Sequence, residues 1–403
     1  MAYFPTTSIQ YADSPSIDAF DRLRISAPFA VFSTKQIYTD QSLFWSEKIN
    51  GVGASSTFDL NKSQSVLQVG TVSGEYVIRQ TKQYTSYQPG RSHLIFITGN
   101  FNGSKTNVTK RIGYFDDNNG IFFELAGSTL SVVIRSSTSG SPVDTSVAQS
   151  SWNMDMLQGA GPSGITLDIT KAQIFTIDFE WLGVGRVRIG FVIDGIIIYC
   201  HQFLHSNVAS EVFMTTPTLP LRYEIRNTGV AATATTMSEI CGTVLSEGGY
   251  DPKGLVRSAD LGISDKAMSG TLRPLIQLRL NSSFIRGSIQ PLSCSFFSSS
   301  NDSWHWALIL NPTITGGTAA SWSSVSDSIA QYDVAATGTV SGGTQIDSGY
   351  IPAQTRGLYS LFKSDLGVNA DIDGVSDVLV LAAQTTDGTS GNLLGSITWK
   401  EDL

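Results

Sequence analysis

The sequence predicts an all-β protein: a β-sandwich of jelly-roll type followed by a second, smaller β-domain. Three observations carry that expectation. From residue 41 onward, short runs place apolar residues at every second position, the period of a half-buried strand. Gly, Asn, Asp and Ser cluster between the runs, where tight turns need them. Between residues 41 and 245 no stretch keeps a helical period beyond about ten residues, and many short strands with such turns indicate a sandwich.

The chain has 403 residues, more than one domain usually holds. Residues 1–40 read as an N-terminal arm, residues 41–245 as the jelly-roll domain and residues 246–403 as the C-terminal β-domain. Within the arm, residues 16–24 have the length of one or two helical turns, with Ser16 as N-cap. So short a helix needs a surface to dock on, either its own domain or a neighbouring subunit. Phe20, Arg22, Leu23 and Arg24 are its candidate assembly contacts.

Strand-like runs then cover residues 65–72, 75–87, 92–101, 110–115, 120–124 and 130–135, and later 221–226 and 238–245. Trp45, Trp152 and Trp181 are candidate core or rim residues. The strongest local signal lies between Lys171 and Phe203. Phe175, Ile177, Phe179 and Trp181 alternate with Thr176, Asp178 and Glu180. Gly183-Val184-Gly185 breaks the run, and Val187, Ile189, Phe191 and Ile193 resume it. Asp194-Gly195 suits a two-residue hairpin whose central residues both need φ > 0. Residues 196–203 complete a three-stranded meander. A symmetrical register about Gly183 sets Glu180 beside Arg186 and Asp178 beside Arg188, two cross-strand ion pairs.

Gly, Pro and charge cluster over residues 246–254 and mark a linker. Beyond it, residues 272–281, 283–291, 303–310 and 378–383 read as strands. Residues 313–349 are rich in Ser, Thr, Gly and Ala but keep Ile329, Tyr332, Val334, Val340 and Ile346, so ordered strands and loops are expected there.

Composition excludes several classes. Only 15% of residues are charged, against a usual quarter, and the net charge is −8. That balance argues against sequence-independent binding to nucleic acid and against an anionic membrane surface. No uncharged apolar run approaches the roughly 18–20 residues of a membrane span. No secretory signal pattern opens the chain, so synthesis in a cytoplasm is expected, with any exterior life reached by another route such as release inside an assembled particle. Cys200, Cys241 and Cys294 form neither a disulfide framework nor a zinc pattern. No cofactor is implied, since phosphate-loop, nucleophile-elbow and dinucleotide fingerprints are missing from the sequence.

Four constellations invite chemistry. Residues 176–183 resemble the catalytic strand of laminarinase-type glycoside hydrolases, whose motif is Glu-x-Asp-x-Glu. Asp178 matches its middle acid and Glu180 the last, but Thr176 stands where the nucleophile belongs. A retaining mechanism needs two carboxylates about 5 Å apart, so hydrolysis is not expected. His201-Gln202-Phe203-Leu204-His205 lacks the Glu and the helix of a zinc-protease motif. Trp304 and Trp306 share one strand face, either as core or as a platform for sugar rings. Residues 116–120 fit a tight turn, whereas Asn369, Asp371 and Asp373 fit the opening of a calcium loop without its closing Glu.

Residues 18–26, 111–116, 161–168 and 179–191 together resemble a family of virion structural proteins of tailed bacteriophages, of the marine and cyanobacterial type. The likeness is strong over residues 15–226 and looser beyond, and Asp21 stands where the family pattern has Gly. It implies a virion protein made in the host cytoplasm, with other virion proteins as partners and no catalytic residues. The expected architecture is an arm, a jelly-roll or concanavalin-like (lectin-like) sandwich, and a second β-domain. The expected role is capsid decoration, a fibre or a tail-associated part, as a homo-oligomer of three or more copies. The alternative is a carbohydrate-binding or residual glycoside-hydrolase-like module for host surface glycans, using Asp178, Glu180, Trp304 and Trp306.

Overall fold

The computed structural model describes residues 27–251, 254–298, 300–353, 356–360 and 366–402. Phe20, Arg22, Leu23 and Arg24 lie outside them.

Alternation of apolar residues gives each strand one face to bury, and here two antiparallel sheets bury theirs against each other. Sheet A runs from edge to edge through Ile196–Phe203, Val187–Ile193, Gln173–Phe179, His93–Asn100, Thr235–Glu247, Gln64–Val69 and Ser55–Asp59. Sheet B runs through Val143–Ala148, Thr129–Ser136, Gly120–Ala126, Val108–Phe115, Leu221–Asn227, Tyr76–Thr81 and Trp45–Asn50. The chain passes from Tyr76–Thr81 in sheet B to His93–Asn100 in sheet A and back to Val108–Phe115 in sheet B. Such crossing between sheets distinguishes a jelly roll from two stacked meanders. The all-β, jelly-roll expectation holds.

Phe175, Ile177 and Phe179 of sheet A meet Ile112, Tyr114 and Phe123 of sheet B in one core. The Phe123 ring lies 4.9 Å from Phe175 and 5.0 Å from Phe191. Trp45 and Trp152 are buried in this core, while Trp181 packs against its margin. Residues 28–35, read above as arm, are instead a strand of sheet A that pairs with Cys241–Glu247. A bulge between Ala30 and Phe32 breaks the apolar period there, which hides the strand from a search for alternation.

Among the described residues the later part of the chain adds a two-stranded sheet, Thr313–Thr315 with Thr339–Ser341, and two larger ones. One holds Leu255–Asp260, Gly391–Asp402, Ser288–Phe297 and Arg356–Ser360, with Lys266–Met268 also on Gly391–Asp402. The other orders Ser323–Ser324, Ala330–Asp333, Arg273–Leu280, Val378–Thr385, Trp304–Leu310 and Thr344–Ile351. Gly391–Asp402 went unrecognised in the sequence because Gly395 and Glu401 sit among its buried positions. A Cβ at 395 would come within 2.3 Å of the Leu275 side-chain tip, so a larger residue there would displace that buried leucine. Residues 282–284 form a 3-10 turn, so the strand expected from 283 begins at Ser288.

Trp304 and Trp306 are 0% and 2% exposed and pack with Trp399, Leu278 and Ile397. This corrects the sugar-platform expectation: an indole enclosed in a core has no open face to stack on a ring. Asn369, Asp371 and Asp373 are corrected as well. One Asp371 oxygen accepts the N–H groups of Asp373 (3.0 Å) and Val375 (2.8 Å), closing the loop on itself. Asp373 reaches outward to Lys48 at 2.5 Å, and Asn369 donates to the Gly367 carbonyl. The loop docks on the first sandwich rather than converging on an ion. Lys82 with Asp377 at 3.2 Å and Arg286 with Asp116 at 2.8 Å extend that seam. Residues 116–120 are the tight turn expected, with one Asp116 oxygen accepting from the N–H groups of Asn118 and Asn119 at 2.8 Å.

Charge is also buried inside the first sandwich. Arg79 of sheet B reaches Glu239 of sheet A, both almost fully enclosed, and also Glu47 and the Asp40 carbonyl. Gln36 donates to Glu239 at 2.8 Å, and the Arg79 guanidinium lies over the Trp45 ring. Replacing Arg79 with Leu leaves Glu239 buried without its cation, so a loss of about 3–5 kcal/mol is expected in denaturant unfolding. On the outer face of sheet B, burial pushes the Glu224 carboxyl up, but Arg222, Arg111 and Arg226 outweigh it and hold it at about 2. Its ionised form therefore stabilises the fold above pH 4.5, and that contribution disappears as pH falls to about 2. The stability difference between wild type and Glu224→Gln, measured by urea unfolding, should shrink by on the order of 3 kcal/mol across that window.

Candidate functional site

The meander forms one edge of sheet A as its spacing predicts. Phe175 opposes Phe191, Asp178 opposes Arg188, and Phe179 opposes Val187. Asp194 and Gly195 adopt φ of 51° and 80°, the two left-handed positions the hairpin requires. At the other turn, Leu182 and Gly183 have φ of 34° and 81°. Gly185 must lack a side chain there, because a Cβ would approach the Glu180 carbonyl to 2.3 Å. The Phe213 N–H donates to the Gly183 carbonyl at 2.9 Å, and Trp181 Nε1 donates to the Met214 carbonyl at 3.0 Å. His205 stacks on Phe213 and contacts the Gly185 carbonyl through Nδ1 at 2.7 Å. The segment after the meander thus clamps its turn. His201 accepts the Asn153 N–H through Nδ1, so neither imidazole is set out as a metal ligand.

With Phe175, Ile177 and Phe179 turned inward, Thr176, Asp178 and Glu180 lie on the outer face. Thr176 is fully buried between its neighbours Phe96 and Gly190. Asp178 is 6% exposed, ion-paired to Arg188 and hydrogen-bonded by the Tyr199 hydroxyl at 2.8 Å. The Arg188 guanidinium lies 4.4 Å from the Tyr199 ring centre. Burial, then the Asp178 hydrogen bond, raises the Tyr199 hydroxyl well above the usual phenol range, so it remains a donor at neutral pH.

Of the two expected ion pairs, only Asp178–Arg188 forms. The Glu180 N–H meets the Arg186 carbonyl at 3.2 Å, but their side chains make no ion pair among the described residues. Both are exposed, and water screens such a pair at little cost to either group. Ser92, Asp178, Glu180, Arg186 and Arg188 line a polar cavity of about 210 Å³. At its margin, Ser92 donates to Glu247 at 2.8 Å. The cavity is smaller than the roughly 300–1,000 Å³ of typical ligand pockets, which restricts it to a single small polar group or ring. It offers one unengaged carboxylate, one exposed guanidinium and a second carboxylate already held by two donors.

Sequence reasoning missed Tyr199, Ser92 and Glu247. Tyr199 was within reach of it: counting back from the Asp194-Gly195 turn sets Tyr199 opposite Gly190, and Gly190 opposite Thr176. Ser92 and Glu247 come from segments remote in sequence, and no spacing links them to the meander. Trp304 and Trp306 belong to the other sandwich's core and contribute nothing to this face.

No family model matches this chain, and no curated protein does. Among solved structures, it is similar to a glycosyl hydrolase family protein from Mycobacterium fortuitum, at 12% identity and a TM-score of 0.37, covering 54% of this chain and 99% of that one. A legume lectin-like domain from Entamoeba histolytica matches at 10% identity and a TM-score of 0.32, covering 54% and 97%. The laminarinase from Rhodothermus marinus matches at 14% identity and a TM-score of 0.33, covering 55% and 98%. Likeness at this level carries no residue role from those proteins to this one.

The two acids of the meander should respond differently to substitution. Asp178→Asn weakens a mostly buried, doubly bonded carboxylate and is expected to cost about 1–3 kcal/mol in chemical unfolding. Glu180→Ala should stay within about 0.5 kcal/mol of wild type, as exposed sites without partners do.

Proposed function

We propose that this chain is a non-enzymatic structural protein of a tailed-phage particle, attached through its N-terminal arm and presenting its β-sandwiches outward. The observation supporting the non-catalytic part is the state of the meander's acids. Thr176 occupies the nucleophile position of the hydrolase-like motif and is buried. Asp178 is engaged by Arg188 and Tyr199, which leaves Glu180 as the single unengaged carboxylate of that strand. One carboxylate cannot serve as both nucleophile and acid/base in a retaining cycle. The particle assignment is supported by the sequence resemblance, and a low-charge surface over two enclosed cores suits a component that must persist outside a cell.

A second reading draws on the polar cavity beside Glu180 and Arg186, whose donors and acceptors match a hydroxyl-rich ligand such as a host surface glycan. Its small volume would limit it to one sugar ring.

Mass spectrometry of purified particles should find the chain at a fixed copy number, and a chain lacking residues 1–26 should fail to incorporate. Particles without the protein would overturn the structural assignment. Incubation with β-glucans should release no reducing ends, whereas turnover lost in Glu180→Gln would return the chain to the hydrolases. Retention on a glycan array, lost in Arg186→Ala, would favour the second reading.

A further inference from the structure

His93 opens the strand His93–Asn100, at the end of the first sandwich where residues 82–92 arrive from sheet B. It opposes Phe179 on one side and Ser246 on the other, and its side chain shares the inward face of Ile95 and Ile97. The imidazole is 0% exposed. The Tyr87 ring centre lies 5.1 Å from it, Phe179 at 5.7 Å and Tyr114 at 6.4 Å, each ring steeply inclined to its plane. Neither Nδ1 nor Nε2 has a hydrogen-bond partner among the described residues.

Two titratable groups face this ring, Tyr87 and Tyr114. The Tyr87 hydroxyl accepts the Trp181 N–H at 3.0 Å. The Tyr114 hydroxyl donates to the Thr85 carbonyl at 2.9 Å and accepts the Leu219 N–H at 3.1 Å. Burial raises both phenols, so neither supplies a negative charge near neutrality. The charged groups of the surrounding elements are committed elsewhere. Lys82 pairs with Asp377, Arg91 bonds Gln88, Lys110 bonds the Phe101 carbonyl, and Arg111 pairs with Glu224. Asp178 pairs with Arg188, Glu247 accepts from Ser92, and Glu180 is exposed.

A neutral imidazole can be enclosed among aromatic rings, but an imidazolium brings a charge and two N–H donors to a box with no acceptor. Attraction of the cation to ring faces returns only part of that loss. Burial alone accordingly lowers the imidazole from 6.5 to about 4. The walls differ in how they are held. Phe179 and Tyr114 sit on interior strands of their sheets, whereas Tyr87 belongs to the connection between Tyr76–Thr81 and His93–Asn100, tied to the sandwich by the Thr85–Leu219 bridge and the Tyr87 hydroxyl.

We propose that His93 is an acid-released latch: protonation of the enclosed ring frees the Tyr87 segment from the end of the first sandwich. The ring takes its proton more readily once the segment has opened. The closed form is therefore favoured above pH 6.5, loses stability below it, and has lost the full contribution by about pH 4. Tyr87 also walls a cavity of about 400 Å³ at the junction of the two sandwiches, with Pro89, Leu255 and Glu401. Release thus opens that junction and unties Trp181 from Tyr87 in one event.

An NMR titration of the imidazoles in the full chain should place His93 well below 6.5, and a value at or above 6.5 overturns the latch. Hydrogen exchange then compares wild type with His93→Phe at each pH, so that other titrating groups and intrinsic exchange chemistry cancel. On going from pH 7.5 to pH 5, the amides of residues 83–92 should speed up at least about tenfold more in wild type than in the variant, and those of Val108–Phe115 should not. An equal response in the two proteins, or the same acceleration throughout both sheets, overturns the proposal. Should the variant not fold, wild-type exchange corrected for intrinsic rates takes its place, with the same deciding contrast between the two segments.

Discussion

Asp178 and Arg188 face each other across the hairpin at Gly183, and this register governs what the outer face of sheet A can do. Side chains alternate with period two, so a slip of one residue would turn Phe175, Ile177 and Phe179 to solvent and the acids into the core. Burial of those three aromatic and aliphatic groups holds the register from within. The ion pair and the Tyr199 hydroxyl hold it from outside. Both contacts fall on one Asp178 oxygen, Oδ2, so the same geometry that orders the strand ties this acid to an arginine.

The molecule treats charge in two ways. Where it is enclosed, as at Arg79 with Glu239 or Glu224 among three arginines, guanidinium groups meet carboxylates directly. These contacts contribute little beyond what an apolar pair of equal volume would, yet each is expensive to break on one side. Where charge is exposed, as at Glu180 and Arg186, no such match forms. Glu75 departs from both patterns, as do Asp155, Asp333 and Glu401, all enclosed without a cationic partner among the described residues; those three accept from neutral donors on both carboxylate oxygens, whereas Glu75 does so on one.

Along the seam between the sandwiches, Lys48, Lys82 and Asp116 of the first meet Asp373, Asp377 and Arg286 of the second. Asp373 illustrates how a local motif misleads. Its spacing from Asn369 and Asp371 suits a calcium loop, but backbone N–H groups close the loop and a lysine from more than 300 residues away takes the last acid. Trp304 and Trp306 misled in the same manner, because a shared strand face can turn either to a core or to solvent. Spacing alone does not say which.

What the residues determined by themselves is the local conformation: period-two alternation, the left-handed turn at Asp194-Gly195, and the opposition of Asp178 to Arg188. Those features depend on neighbours within about ten residues, and their physics is already complete at that range. Tertiary structure alone decided which face each strand buries, which acid keeps a free oxygen, and that His93 is enclosed by Tyr87, Tyr114 and Phe179. Such outcomes depend on contacts between segments far apart in the chain, where loop closure and packing, rather than period or spacing, select the partners.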